Sequence, residues 1–190
     1  MIKMKRKIVT ISIIILILSV VLSGCIENNN QKQKGDFITD TVANFKITIE
    51  DLPESYIKKY EGEDFTSQFS HYPEEKPIES LKIEFSKGNS SNQDEYDYIT
   101  CELNKFDSIE NAEIAFTSTL DYIITTGNFE VINETINIIG NESKAITKED
   151  YYDFLAFRIL NVIILISSKD FSFTFELAEI IEERIYESFD

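Results

Sequence analysis

The apolar positions along the chain fall into two periods, two and three-to-four, and these divide it into strands and helices. Residues 45–50 alternate Phe45, Ile47 and Ile49 with Lys46, Thr48 and Glu50, which predicts a half-buried strand ended by Asp51-Leu52-Pro53-Glu54. Residues 80–86 repeat the pattern with Leu81, Ile83 and Phe85 on one face, and Lys87-Gly88-Asn89-Ser90-Ser91-Asn92 reads as a loop. In the next strand Tyr96, Tyr98, Thr100 and Glu102 oppose Asp97, Ile99, Cys101 and Leu103, so both faces are mixed. Residues 55–77 carry Tyr56, Ile57, Tyr60, Phe65 and Phe69 with no clean period.

The spacing of Ile109, Ala112, Phe116, Leu120 and Ile123 predicts a helix over about residues 108–126. Asp107 with Glu110 suits a capping box, and Gly127 suits a left-handed stop. Short strands are expected at 129–132 and 143–147, with a turn-rich link at 136–142. Residues 151–159 and 162–167 form aromatic and β-branched runs joined at Leu160-Asn161, an antiparallel hairpin with an apolar turn. From about Ser172, Phe173, Leu177, Ile181 and Ile185 recur four apart amid glutamates, which predicts a terminal amphipathic helix. The expected fold class is α+β: a mainly antiparallel sheet with two amphipathic helices packed on one face.

The N-terminal residues change the picture from fold to address. Lys3, Lys5, Arg6 and Lys7 precede an apolar run over residues 8–22. That run reaches about 22 Å as a helix, short of the roughly 30 Å hydrocarbon core of a bilayer, so it reads as a signal peptide and not a span. It ends in Leu22-Ser23-Gly24-Cys25, which resembles the lipobox of prokaryotic lipoproteins. The resemblance implies a signal peptide over 1–24 and lipidation of Cys25, with an uncleaved signal anchor as the alternative. Residues 25–35 then comprise the modified cysteine and a polar, flexible spacer, and residues 36–190 one extracytoplasmic domain. The partner at this end is a membrane, on the outer face of which the domain is held.

Catalytic and metal chemistry find little footing. His71 is the single histidine, and with Glu74 and Glu75 it matches no zinc spacing. Neither a nucleophile elbow nor a phosphate-binding glycine loop is spelled out. Asp36, Asp40, Glu61, Glu63 and Asp64 are acidic enough for calcium but do not form a twelve-residue loop, and Glu182-Glu183 is one of several chance carboxylate pairs. No catalytic residue, metal ligand or cofactor is assigned. Cys101, in an apolar strand, reads as a small buried hydrophobe. Asn89, Asn133 and Asn141 head Asn-X-Ser/Thr triplets and are candidate glycosylation acceptors.

Phe106-Asp107-Ser108-Ile109-Glu110-Asn111-Ala112, Ile139-Gly140-Asn141-Glu142-Ser143, Phe157-Arg158-Ile159-Leu160-Asn161-Val162-Ile163-Ile164 and Leu177-Ala178-Glu179-Ile180-Ile181-Glu182-Glu183-Arg184-Ile185 stand in the C-terminal half. These four stretches resemble an extracytoplasmic PsbP-like or sensor-like domain found in uncharacterised prokaryotic lipoproteins. Heavy use of Ile, Asn, Lys and Glu adds an archaeal cast. The resemblance implies a fold and a tethered location, and it transfers no catalytic set. The leading expectation is a non-enzymatic lipoprotein binding a protein or small ligand at the envelope. A carboxylate-dependent envelope hydrolase is the alternative, and a structural or assembly factor, exposing the apolar hairpin 154–166, is a third.

Charge excludes one class of partner. The chain has 34 acidic and 18 basic residues; without residues 1–24, which hold four of the basic ones, the balance is 34 to 14, a net charge near minus 20. Such a surface repels nucleic acid and anionic head groups. It also repels itself, so the unfolding midpoint is expected to rise between low salt and about 0.5 M salt as the charges are screened. Thermal unfolding across that range checks this, and an unchanged midpoint would count against it.

Overall fold

The computed structural model describes residues 37–63, 76–87, 98–127, 129–132, 139–148 and 152–189, all within the compact unit Gly35–Asp190. Among them the chain builds one seven-stranded antiparallel sheet from β1 (Tyr56–Gly62), β2 (Glu79–Lys87), β3 (Tyr98–Lys105), β4 (Glu130–Val131), β5 (Glu142–Lys148), β6 (Tyr152–Ile159) and β7 (Val162–Ser168). The spatial order is β1-β2-β3-β7-β6-β5-β4. The first three strands form a meander. Helix α1 (Ile109–Gly127) then carries the chain over to the far edge, and the last four strands return until β7 pairs with β3. That crossing spans four strand spacings, about 19 Å, which a helix of this length, about 28 Å, covers. Helix α2 (Phe171–Glu187) closes the chain.

The antiparallel α+β expectation holds, but the two long helices do not share a face. One face presents Leu155, Phe157, Ile159, Val162, Ile164 and Ile166, packed with Leu177, Ala178, Ile181 and Ile185 of α2. The alternate residues Ala156, Ile163 and Leu165 pack instead with Ala112, Ala115, Phe116 and Leu120 of α1. Since side chains alternate along a strand, the helices lie on opposite faces. The hairpin run 154–166 is apolar on both faces, Arg158 and Asn161 apart, because both its faces are covered. It is therefore no exposed patch: Leu155 through Ser168 are buried without a break.

The expected strand at 45–50 is instead a pair of 3-10 turns, Val42–Asn44 and Ile49–Asp51. Phe45 and Ile47 still go inward, joining the α2-side core. The chain does not extend because the Thr48 N–H and Oγ1 both donate to Asp51 Oδ2, at 2.7 and 3.1 Å, which bends it. With Ile38, Val42 and Leu52, this segment covers β1–β3 on the face that α2 covers further along. Lys105 pins it through Glu79 at 2.6 Å and the Asp40 carbonyl at 2.8 Å; Arg184 of α2 pins it through Asp51 at 2.7 Å.

Two local signals were misplaced. Ser108, not Asp107, caps α1, its Oγ accepting from the Asn111 N–H at 3.0 Å. Gly127 is the last helical residue, and among the described residues the glycine with positive φ is Gly140, at 69°. There a Cβ would lie 2.5 Å from the Arg158 carbonyl oxygen, so the link preceding β5 can press on the end of β6 only without a side chain.

The β6–β7 turn is where these layers meet. Asn161 is fully buried. Its Oδ1 accepts from the Ile38 N–H at 2.8 Å, and its Nδ2 donates to the Phe106 carbonyl at 2.9 Å and the Ile38 carbonyl at 3.2 Å. Leu160 takes a positive φ of 53°. The Asn141 carboxamide oxygen holds it by accepting its N–H at 2.6 Å, and Arg158 Nη1 donates to its carbonyl at 2.7 Å. Arg158 is itself buried and also engages Glu113 of α1, at 3.1 Å, and Glu142 of β5.

Replacing Asn161 by Leu removes three buried hydrogen bonds and leaves the Ile38 N–H without its acceptor. The expected loss is about 3 kcal/mol or more in a denaturant titration; a change under about 1 kcal/mol would deny the turn this role.

Acid should act through the same pinned segment. Burial opposes ionisation of Asp51, but hydrogen bonds from Arg184 and Thr48 outweigh it and hold the carboxyl below its ordinary value. Burial likewise opposes ionisation of Glu79, and Lys105, Thr41 and the Val42 N–H outweigh it. A carboxyl depressed in the folded state stabilises fully above its unfolded pKa, about 4, and that contribution is lost as pH falls through the folded value. Stability is expected to decline below about pH 4, less steeply in an Asp51→Asn, Glu79→Gln variant; identical slopes would clear these two groups.

Candidate functional site

The sheet is covered unevenly. On the α1 face the register sets Ser80, Lys82, Glu84 and Ser86 of β2 beside Asn104, Glu102, Thr100 and Tyr98 of β3. Ser167 of β7 lies beside Thr100, and Ile57, Tyr60 and Gly62 of β1 lie beside Ser86, Glu84 and Lys82. The opposite face of the same strands carries Ile83, Phe85, Ile99, Cys101 and Leu103, all in the core. One face of β2–β3 is thus apolar under the N-terminal segment, while the other is polar and lies alongside α1, whose main sheet contacts are with β6 and β7.

Charges on this polar face are internally matched. Lys82 Nζ lies 3.1 Å from Glu84 Oε1 and 3.9 Å from Glu102 Oε1. Ser80 Oγ donates to Asn104 Oδ1 at 2.7 Å. What is not matched is a set of buried polar atoms: Ser86 Oγ, Asn104 Nδ2 and Thr119 Oγ1 have no hydrogen-bond partner, although Ser86 and Asn104 are 0 % exposed and Thr119 1 %. An unpaired buried donor or hydroxyl costs about 1–3 kcal/mol, and native folds hold few of them.

Thr119, 1 % exposed, lies in the buried stripe of α1, whose main sheet contacts are with β6 and β7. A Cβ at Gly62 would lie 2.7 Å from Tyr60 Oη, so the missing side chain is what lets the Tyr60 ring lie along β1, where it stays 42 % exposed. At the strand edge, Lys58, Lys59, Glu61, Glu63 and Leu81 help line a shallow open depression of about 540 Å³.

The residues nominated from sequence fall elsewhere. Cys25, His71, Asn89 and Asn133 lie outside the described residues. Asn141 is half-buried and commits its carboxamide oxygen to the Leu160 turn. Cys101 is a free cysteine in the core, and burial, aided by the charge of Glu102, pushes its thiol above the usual range, away from nucleophilic chemistry. Glu182 accepts the Gly140 N–H at 2.9 Å, and Glu61 is held by Lys46 and Lys58. Among the described residues, no three His, Cys, Asp or Glu converge as metal ligands would, and no helix is long and apolar enough to cross a membrane.

Ser86, Asn104 and Thr119 were not singled out from sequence. The signal was present: β3 alternates Thr100, Glu102 and Asn104 against Ile99, Cys101 and Leu103, and Thr119 occupies a stripe position in α1 otherwise filled by Ala112, Ala115 and Ile123.

These features define an α+β domain whose antiparallel sheet is clasped by helices on both faces. No family model and no curated protein matches the sequence. Among solved structures, the fold is similar to that of the extracellular domain of PknH from Mycobacterium tuberculosis, with a TM-score of 0.53 and 8 % identity over 80 % of this chain and 100 % of that one. The likeness is one of fold, and the fold is one that an extracellular domain also uses.

Because the Thr119 hydroxyl is buried without a partner, Thr119→Val should stabilise the protein by about 1 kcal/mol, in contrast to the usual sign for a Thr→Val core change that breaks a hydrogen bond. Urea unfolding measures it, and destabilisation would show that the hydroxyl is satisfied.

Proposed function

We propose that this protein is a lipid-tethered extracytoplasmic binding domain, which recognises a small ligand or a protein of the cell envelope through the polar face beside α1. The observation that carries the reading is the set of buried, unpartnered polar atoms on a face that is otherwise paired. Binding groups kept ready for a ligand are a physical reason to retain unpaired groups that cost stability. The tether rests on Leu22-Ser23-Gly24-Cys25 after its short apolar run, with the spacer over 26–35 giving the domain reach. The PsbP-like, sensor-like likeness of the sequence points the same way.

The hydrolase alternative has less support. Glu84 and Glu102 are both drawn to Lys82, and Glu182 holds a backbone N–H, so none of the three stands as an unoccupied acid or base. The assembly-factor alternative looked to the apolar hairpin, which is buried on both faces.

Two measurements on the full chain test the proposal together. Mass spectrometry of the Cys25 peptide should show a lipid adduct, and Cys25→Ser should move the protein from the membrane fraction to the soluble one. Fractionated envelope components should raise the unfolding midpoint of the wild-type chain by ligand linkage. An unmodified Cys25 would remove the tether; turnover of a substrate that depends on Glu84 or Glu102 would replace binding with catalysis.

A further inference from the structure

We infer that β1 is a docking edge, to which an extended, acidic stretch of another protein adds as a further strand. This site is separate from the polar face beside α1 and does not rest on it.

Topology leaves β1 open. It ends the strand order, and among the described residues it pairs with β2 alone, so one side of a seven-residue strand, about 23 Å long, has no strand beside it. The N–H and C=O groups of such a side are what strand addition uses. The opposite edge, β4, is two residues long and offers too little backbone to hold a partner.

Charge selects the partner. The chain carries a net charge of −16, yet this edge is locally basic. Lys46 and Lys58 share the one carboxylate of Glu61, and Lys59 is exposed and in no ion pair among the described residues. Even with Glu63 at the end of the strand, three ammonium groups stand against two carboxylates. Lys59 is also the residue that the ladder skips: Lys58 faces Phe85 and Tyr60 faces Glu84, so the bulge leaves Lys59 without a counterpart in β2. Lysines and a bulge on an edge ordinarily keep strands off, because an incoming strand would leave the charge covered and unpaired. A strand that brings a carboxylate to Lys59 removes that penalty, so the edge rejects neutral and basic strands and admits an acidic one. A second copy of this chain would bring the same lysines to the edge.

The end of β1 adds an apolar contact. Pairing stops at Gly62 and Lys82, while β2 continues back to Glu79, so the sheet steps inward there. The depression of about 540 Å³ lies at this step, where Leu81 and Tyr60 give it apolar surface beside Lys58 and Lys59. The segment that fits carries an apolar residue next to its carboxylates.

The test titrates the full chain, in a nonionic detergent, with a peptide about ten residues long that alternates glutamate with valine and threonine, followed by calorimetry and backbone-amide NMR. Companion peptides replace glutamate by lysine or by glutamine, or valine by proline, which keeps the charge and removes N–H groups that a strand needs. The acidic peptide is expected to shift the amides of β1 and to bind about tenfold more tightly than each companion. Lys59→Glu should weaken it about tenfold and Lys59→Arg should not, both with the wild-type unfolding midpoint. Raising the salt from about 0.05 to 0.5 M should weaken it as well.

Equal binding of the lysine or glutamine peptide would overturn the acidic partner, equal binding of the proline peptide the added strand, and shifts confined to other strands the location. Concentration-dependent sedimentation of the chain alone, with shifts of the β1 amides, would make a second copy the occupant and overturn the proposal. If none of the peptides binds, this inference falls, and the polar-face reading stands or falls on its own measurements.

Discussion

The Asn161 carboxamide is the point on which the rest of the fold depends. It sits at the tip of the β6–β7 hairpin, and its hydrogen bonds reach the N-terminal segment at Ile38 and the exit of β3 at Phe106. Those partners lie 123 and 55 residues away in the chain. A buried amide can satisfy such distant backbone groups only when all of them arrive in register, so the contact couples the meander β1–β3, the hairpin and the strap that covers them. Arg158 and Asn141 extend this coupling, holding Leu160 in a backbone conformation that a leucine rarely adopts. The strain of one turn residue is tolerated because the groups around it leave no alternative.

Around that node the molecule is asymmetric. The face under the N-terminal segment and α2 is apolar across β2, β3, β7 and β6, whereas the other face changes character at the boundary between β7 and β3. On one side of the boundary Ile163, Leu165 and Ala156 meet α1; on the other, serines, threonine, asparagine and charged groups replace them. A sheet that uses one face wholly for stability and half of the other can keep polar groups there without losing its core.

Much of this was legible in the pattern of residues. The stripe from Ala112 to Ile123, the alternation of Leu81, Ile83 and Phe85, and the paired apolar runs around Leu160-Asn161 each follow from a fixed side-chain period, and each became the element expected. The failures share a cause. Phe45, Ile47 and Ile49 alternate as a strand would, yet Asp51 captures the Thr48 amide and bends the segment. An alternating pattern records which side chains go inward, not the hydrogen bonds the backbone makes. In the same way, an unbroken run such as Val162-Ile163-Ile164-Leu165-Ile166 states that both faces are covered, but nothing local names the covering elements. Both helices were therefore assigned to one face when the run required one on each. The polar site was unreadable for a further reason: a buried threonine in a helix looks the same in sequence whether or not its hydroxyl finds a partner.

The uneven cover of the sheet sets how its parts open. Amide exchange is expected to be slowest in β6 and β7, closed in by α1 and α2, whereas β1 and β2, at an edge and with no helix of the described residues packed on their polar face, can fray while the centre stays intact. A bulge between Lys58 and Tyr60 already loosens that edge. The protein is thus stiffest where its layers are stitched together and softest at the margin of the sheet, so that its edge can loosen without disturbing the hairpin that holds it.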